Sequence, residues 1–198
     1  MSQTLIRMVE ERDVPQILDI YAPFIKHTAV SFEEEVPSVQ EFWERIQSYL
    51  QEAPWLVYET EGRIGAYAYA SPHRGRAAYR WNRELSAYVA EDFQRKGIAR
   101  ALYHSILKII KAQGYLNALA GITMPNDPSV AFHEAMGFSK VGIYHNVGYK
   151  FGKITDTGWW EMRIQDDEFQ PDEIRLTEKL DPELMQEAFR EGLAMIRR

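Results

Sequence analysis

At 198 residues the chain has the length of one domain with a sizeable core, and its 45% apolar and 13% aromatic content excludes a disordered polymer. A net charge of −6 argues against nucleic acid as the main partner, because phosphate binding needs clustered Lys and Arg. Cysteine is absent, which removes disulfides, thiol nucleophiles and Cys-based zinc sites.

In chain order, "TLIRMV" (4–9) reads as a first strand. A helix follows over 10–28, with Asp13 as its expected N-cap and Pro15 in its first turn. The next helix, 38–53, opens with a capping box: Ser38, then Glu41 three residues on. Strands are predicted at 54–60, 64–72 and 83–92, the first two joined by the turn residues Glu61 and Gly62. A long helix then ends at Gly114, placed as its C′ glycine. A strand at 116–124 leads to a short helix at 126–137, with Pro128 near its start and Gly137 at its end. Strands at 138–149 and 157–164 close the expected domain, 1–164. Residues 165–180 are polar and acidic and read as a linker. After them, 181–198 forms a helix capped by Asp181, with Leu184, Met185, Ala188, Phe189, Gly192, Leu193 and Ile196 on one apolar face. That face needs cover, from its own domain or from a second subunit. The start lacks a signal-peptide stretch and no run reaches transmembrane length, so the expected setting is the cytoplasm, without a membrane partner.

One turn stands out between the strand at 83–92 and the long helix: "EDFQRKGIAR" (91–100). Free N–H groups and the positive end of the helix dipole favour an anion at such a junction. Gly97 lets a phosphate approach the backbone without a Cβ in the way, and Arg95 and Lys96 add charge. "QRKGIA" fits the pattern Gln/Arg-x-x-Gly-x-Gly/Ala, so Gln94, Arg95, Lys96, Gly97, Ile98, Ala99 and Arg100 are the candidate pyrophosphate residues. A second constellation, "NDPSVAFHEAMGF" (126–138), sets Asn126 and Ser129 at a strand-to-helix junction and a Gly-Phe pair at the next strand. Asn126 either bonds a passing ligand arm or only caps its helix.

The two motifs, in this order and spacing, resemble the GNAT superfamily of acetyl-CoA-dependent N-acyltransferases. "SFEEEVPS", "SPHRGRAAYRW", "ELSAYV", "VGYKFG" and "DTGWW" narrow the likeness to the phosphinothricin N-acetyltransferase group, over roughly residues 5–164. The resemblance implies an α/β fold of the α+β type. Its twisted mixed sheet of six or seven strands would splay around acetyl-CoA, with helices on both faces. It also implies a homodimer.

An amine attacks a thioester only as the free base, so a carboxylate must take a proton. Glu84 matches the glutamate proposed as general base in that group. The backbone of Ala87, Tyr88 and Val89 would face the pantetheine, with one N–H group available to an oxyanion. His133 stands where many superfamily members have a Tyr, and its titration near neutrality makes it the second catalytic candidate. Arg74 and Arg76 are forks suited to an acidic acceptor, Phe32 would wall its pocket, and Tyr149 lies in a hairpin that can reach the same or the partner's site. Three departures bear on the acceptor: His73 replaces a usual aromatic, and Ile154 and Thr155 stand where Trp-His is usual. His104, His133 and His145 lack ligand spacing, so no metal is expected. The expected activity is acetyl transfer to the α-amine of a small amino acid such as phosphinothricin or methionine sulfone or sulfoximine. The alternatives are another small amine, a protein N-terminus, or a non-catalytic acyl-CoA-binding module.

Overall fold

The computed structural model describes residues 4–166 and 168–196; the first three residues, Asp167 and the last two residues of the tail lie outside the described residues. Seven strands are formed: β1 (Thr4–Met8), β2 (Trp55–Thr60), β3 (Arg63–Pro72), β4 (Asn82–Val89), β5 (Asn117–Met124), β6 (Ser139–Lys150) and β7 (Lys153–Arg163). The helices are α1 (Val14–His27), α2 (Val39–Leu50), α3 (Ile98–Gln113), α4 (Asp127–Ala135) and α5 (Pro182–Ala194). One sheet takes the order β1-β2-β3-β4-β5-β7-β6, and β4 with β5 is its parallel pair.

Local chemistry explains most boundaries. The Ser38 hydroxyl accepts from the Glu41 amide at 3.3 Å while Glu41 accepts from the Ser38 amide at 2.8 Å, which starts α2. Glu61 and Gly62 both take positive φ, 54° and 78°, the geometry of a tight β2–β3 hairpin. Gly114, with φ 98°, closes α3.

Several boundaries depart from the sequence reading: α1 starts at Val14 after a 3-10 turn at Glu11–Asp13, and the strand expected to reach residue 92 ends at Val89, short of a 3-10 turn at Glu91–Phe93. Asp13 makes no side-chain cap bond to α1. It accepts instead from Arg7 Nη1 and Nη2 at 2.6 and 2.7 Å, with Glu59 on the other edge of the same guanidinium. The bidentate guanidinium pair, together with the Glu10 amide at 2.8 Å, occupies both carboxylate oxygens and leaves none to cap α1. β7 starts at Lys153 rather than Thr157, because its first residues pair with β6 in an exposed hairpin and carry no burial signal.

The sheet is covered on both faces. Ile17, Tyr21 and Ile25 of α1 and Phe42 and Ile46 of α2 pack on Trp55, Val57 and Tyr67. On the other face, Leu102, Ile106 and Ile109 of α3 pack on Leu56, Ala68, Leu85 and Trp160. The C-terminal helix joins this second core. α5 lies along α3 and β1, with Ala188 and Phe189 buried. Ser105 donates to the Ala188 carbonyl at 2.8 Å, and Lys108 pairs with Glu191 at 2.8 Å.

The feature that positions the site is a loss of pairing. β4 and β5 are in register only at Asn82–Asn117, Arg83–Ala118 and Glu84–Leu119. From Leu85 to Val89, β4 keeps its β3 partners and has none on the β5 side.

The α5 seat is testable at Gly192. A Cβ there would lie 2.8 Å from the Ala101 carbonyl and against the Ser105 hydroxyl. Gly192→Val should therefore cost about 1–3 kcal/mol of stability in urea unfolding. An unchanged midpoint would mean that α5 does not sit on α3 in this way.

Candidate active site

Side chains alternate along β4, so Leu85 and Ala87 join the α3 core while Glu84, Ser86 and Tyr88 point to the α1 face. Glu84 thus stands at the last paired rung before the β4–β5 gap. Its side chain is partly buried and accepts a hydrogen bond from His73 Nδ1 at 2.7 Å. Burial raises the Glu84 pKa from its ordinary value, opposed by the His73 hydrogen bond and by the charges of His73 and Arg74. Such a carboxylate can accept a proton readily while remaining able to ionise.

Past Val89, the chain makes a short 3-10 turn, Glu91–Phe93, and enters α3 through Gly97 at φ 84°. Gly97 offers no capping side chain, so the first amides of α3 keep free N–H groups. A cleft of about 200 Å³ opens there, lined by Val89, Gln94, Arg95, Gly97, Ile98, Ala99 and Arg100 together with Phe93 and Phe132. Lys96 is exposed beside it, its ammonium over the Phe93 ring. The last turn of the tail also arrives here: the Met195 carbonyl lies 3.4 Å from where a Gly97 Cβ would be. The free amides, the nearby cations and the glycine fit a pyrophosphate.

Across the gap, Asn126 caps α4 through its Oδ1, which accepts from the Ser129 amide at 3.2 Å. The cap uses the oxygen and leaves the side-chain NH₂ as a donor, so the two readings of Asn126 are compatible. His133 is 7% exposed, held by the Ser129 carbonyl at 2.8 Å and the Tyr103 hydroxyl at 3.1 Å. Its ring sits among Tyr103, Phe132 and Phe138 on the α3 side of the sheet, the opposite face from Glu84. Burial lowers its pKa and keeps it neutral.

On the Glu84 face, Phe32 from the α1–α2 connection lies against Gly148 and Thr155 of the β6–β7 hairpin. Arg74 is exposed, near the Tyr144 hydroxyl at 3.4 Å and over the Tyr79 ring. Arg76 is exposed at the start of the helical turn Ala77–Tyr79, and Tyr149 is exposed on β6. Residues not singled out by the sequence also line this face. Thr155, Thr157 and Trp159 alternate along β7, and their buried Oγ1, Oγ1 and Nε1 atoms have no protein partner among the described residues. The polar-aromatic alternation in "TDTGW" was the available signal. Among the described residues, no three His, Asp or Glu side chains cluster to hold a metal ion.

Comparison with known proteins gives the family. The acetyltransferase (GNAT) domain profile matches residues 6–159. The chain belongs to the GNAT acetyltransferase family. It is 38% identical over 160 residues to phosphinothricin N-acetyltransferase of Streptomyces viridochromogenes, covering 81% of this chain and 87% of that one. It is 28% identical over 169 residues to the L-methionine sulfoximine/L-methionine sulfone acetyltransferase of Salmonella typhimurium, covering 84% and 98%. The crystal structure of a GNAT superfamily phosphinothricin acetyltransferase from Sinorhizobium meliloti in complex with AcCoA superposes with a TM-score of 0.81. It has 29% identity and covers 86% of this chain and 94% of that one. The seven-stranded GNAT sheet with its splayed parallel pair is thereby the family fold, and the chain is an N-acetyltransferase by family.

The neutral state of His133 sets a pH dependence. Its folded pKa lies below the unfolded value of about 6.5, so below that pH the unfolded chain binds the extra proton preferentially. Folded stability should fall as pH drops from about 7 through 6.5 and on toward the depressed folded value. His133→Gln should be less stable at neutral pH yet lose less between about pH 7.5 and 5.5. Parallel wild-type and variant melting curves would remove the buried neutral imidazole.

Proposed function

We propose that the chain moves the acetyl group of acetyl-CoA to the α-amine of a small amino acid whose side chain ends in a tetrahedral, oxygen-bearing group. Phosphinothricin and methionine sulfone or sulfoximine are of this kind. The observation that carries the reading is Glu84, a proton-avid carboxylate at the mouth of the β4–β5 gap, with the glycine turn at the far end of the same strand. Relatives named for these acceptors support the acceptor class, and the relative crystallised with AcCoA supports the cosubstrate.

Acetyl-CoA supplies the activated acetyl group when bound. Gln94, Arg95 and Lys96, with the amides of Gly97, Ile98, Ala99 and Arg100, hold its pyrophosphate. The backbone of Ala87, Tyr88 and Val89 and the amide of Asn126 face its pantetheine arm. Ser129 and His133 brace the first turn of α4 beneath that arm. Glu84 takes the proton of the acceptor's ammonium and frees the lone pair for attack on the thioester. A β4 N–H group stabilises negative charge as it grows on the carbonyl oxygen. Arg74 and Arg76 take the acceptor's anionic groups, and Phe32 packs on its aliphatic spacer.

The same reading includes assembly and setting. Val141, Val147, Tyr149, Phe151 and Ile154 are large apolar or aromatic side chains left exposed on the β6–β7 hairpin. A second copy of the chain is proposed to cover them, forming a homodimer in the cytoplasm. Residues 165–196 are proposed to belong to the same folded unit as 4–164 through the α5–α3 contact. No helix among the described residues is long and apolar enough to cross a membrane.

Free-CoA release screened across amino acids and their phosphinyl and sulfonyl analogues tests the acceptor. A response only to polyamines, aminoglycosides or peptides would remove this acceptor class and leave the family activity. Glu84→Gln should lower turnover by ~10²–10⁴-fold with acetyl-CoA binding retained in calorimetry. A wild-type rate at neutral pH would exclude Glu84 as the base. Gly97→Leu should weaken acetyl-CoA binding severely, since φ 84° disfavours a side chain there and a Cβ would stand where the phosphate approaches. Unchanged affinity in a folded variant would remove the pyrophosphate cradle.

A further inference from the structure

His73 lies on the β3–β4 connection, immediately after Pro72, the last residue of β3. β3 and β4 are antiparallel with Ser71 opposite Glu84 and Pro72 opposite Arg83, so the connection turns back over the Glu84 side chain. The imidazole is mostly covered, at 15% side-chain exposure, and makes edge contacts with Trp159 at 5.4 Å and Tyr79 at 5.9 Å. Those two rings, one from β7 and one from the turn before β4, fix its plane. Its Nδ1 then meets Glu84 Oε1 at 2.7 Å.

We infer that His73 is the positioning residue of the catalytic base, donating its Nδ1–H to one Glu84 oxygen so that the other is aimed at the acceptor amine. The inference rests on the reading of Glu84 as the base. A carboxylate accepts only, so the short contact assigns the proton to Nδ1 and leaves Nε2 as the ring's second position. A lone Glu84 would have two problems in this pocket. Its side chain could rotate away from the amine, and burial would favour its neutral, proton-bearing form, which cannot act as a base. One hydrogen bond from His73 addresses both. The charged and titratable groups facing the pair are few: Arg74 beside it, Tyr79 against the ring, and Tyr144, whose hydroxyl meets Arg74 and whose ring packs on Trp159. Arg74 is exposed and makes no hydrogen bond to Glu84, so His73 is the group in direct contact.

The sign of the pH effect follows. Removing a donor that favours the carboxylate leaves burial unopposed and raises the Glu84 pKa further. Glu84 must be ionised to work, so the acidic limb of kcat/KM moves to higher pH. The test is the pH profile of kcat/KM for wild type, His73→Phe and His73→Asn, with L-methionine sulfone as the acceptor and free-CoA release as the signal. If the screen has favoured another acceptor, that one is used. His73→Phe keeps ring packing and loses the donor; its acidic limb should rise by about one pH unit or more and kcat should fall. His73→Asn keeps an N–H near the Nδ1 position and should restore much of both. Acetyl-CoA affinity by calorimetry should be the same in all three. A His73→Phe profile superimposable on wild type overturns the inference, as does an Asn variant no better than Phe. Glu84→Gln, run alongside, separates the two levels. If it is inactive while His73→Phe keeps the wild-type profile, only the role of His73 fails. If it is active, the base itself is misassigned.

Discussion

The architecture turns on the interruption between β4 and β5. A buried strand edge with unused N–H and C=O groups is costly unless something else satisfies them. Here the pairing stops after Glu84 and Leu119, while β3 continues to hold β4 as far as Val89. The result is one rigid, half-satisfied edge that can receive an amide-bearing arm in place of a neighbouring strand. Because β4 leads through one short 3-10 turn into α3, the carboxylate stands near the start of the strand and the phosphate-type turn follows its end. Their separation is set by backbone geometry and depends little on side-chain packing.

Holding that edge in place falls to the two cores. Tyr88 leans on Tyr21 and Phe24 of α1, with ring centres 4.8 and 5.1 Å away, so the α1 face fixes the outer half of β4. From the other face, Leu85 packs into the α3 core, and α3 is clamped in turn by α5 through Ser105, Lys108 and the close approach at Gly192. The tail therefore acts on the site indirectly as well as by proximity. It stiffens the helix whose first amides face the cleft, and its last turn reaches Gly97. The matched domain profile ends at residue 159, so this support comes from a segment outside the family core.

What the sequence made legible was local or motif-bound. The capping box at Ser38, the glycine that opens α3 at Gly97, the glycine that closes it at Gly114 and the Asn126 junction each have a signature within a few residues, and each lies where expected. The order of strands and helices followed from the same kind of signal. Asp13 was misread because its competitor, Arg7, sits on another element and meets it only in the fold. The start of β7 is hard to read because Lys153 and Ile154 are exposed and the inward residues Thr155 and Thr157 are polar, so no apolar period marks the strand. The contact between His73 and Glu84 was hidden for a related reason. Each residue was visible alone, but the antiparallel register that joins them is a property of the pair.

Strand alternation also sorts the departures from the related group. Ile154 is 63% exposed on the hairpin, whereas Thr155 lies on the inner face with Thr157 and Trp159, beside Phe32. Of the two hairpin changes, only Thr155 therefore faces the side of the sheet that carries Glu84. In the resemblance read from the sequence, the group often carries Trp-His at the positions of Ile154 and Thr155 and an aromatic at that of His73. Here the imidazole stands on the β3–β4 connection against Glu84, and a small hydroxyl takes the β7 position. The exchange keeps a histidine on the Glu84 face while opening space along β7 beside two further unpartnered polar atoms. A face of that kind can receive oxygen atoms of an acceptor's far end without altering how its amine meets the base. On the proposed reading of the site, acceptor preference and proton removal fall to different strands, β7 and β4, so one can vary while the other is held.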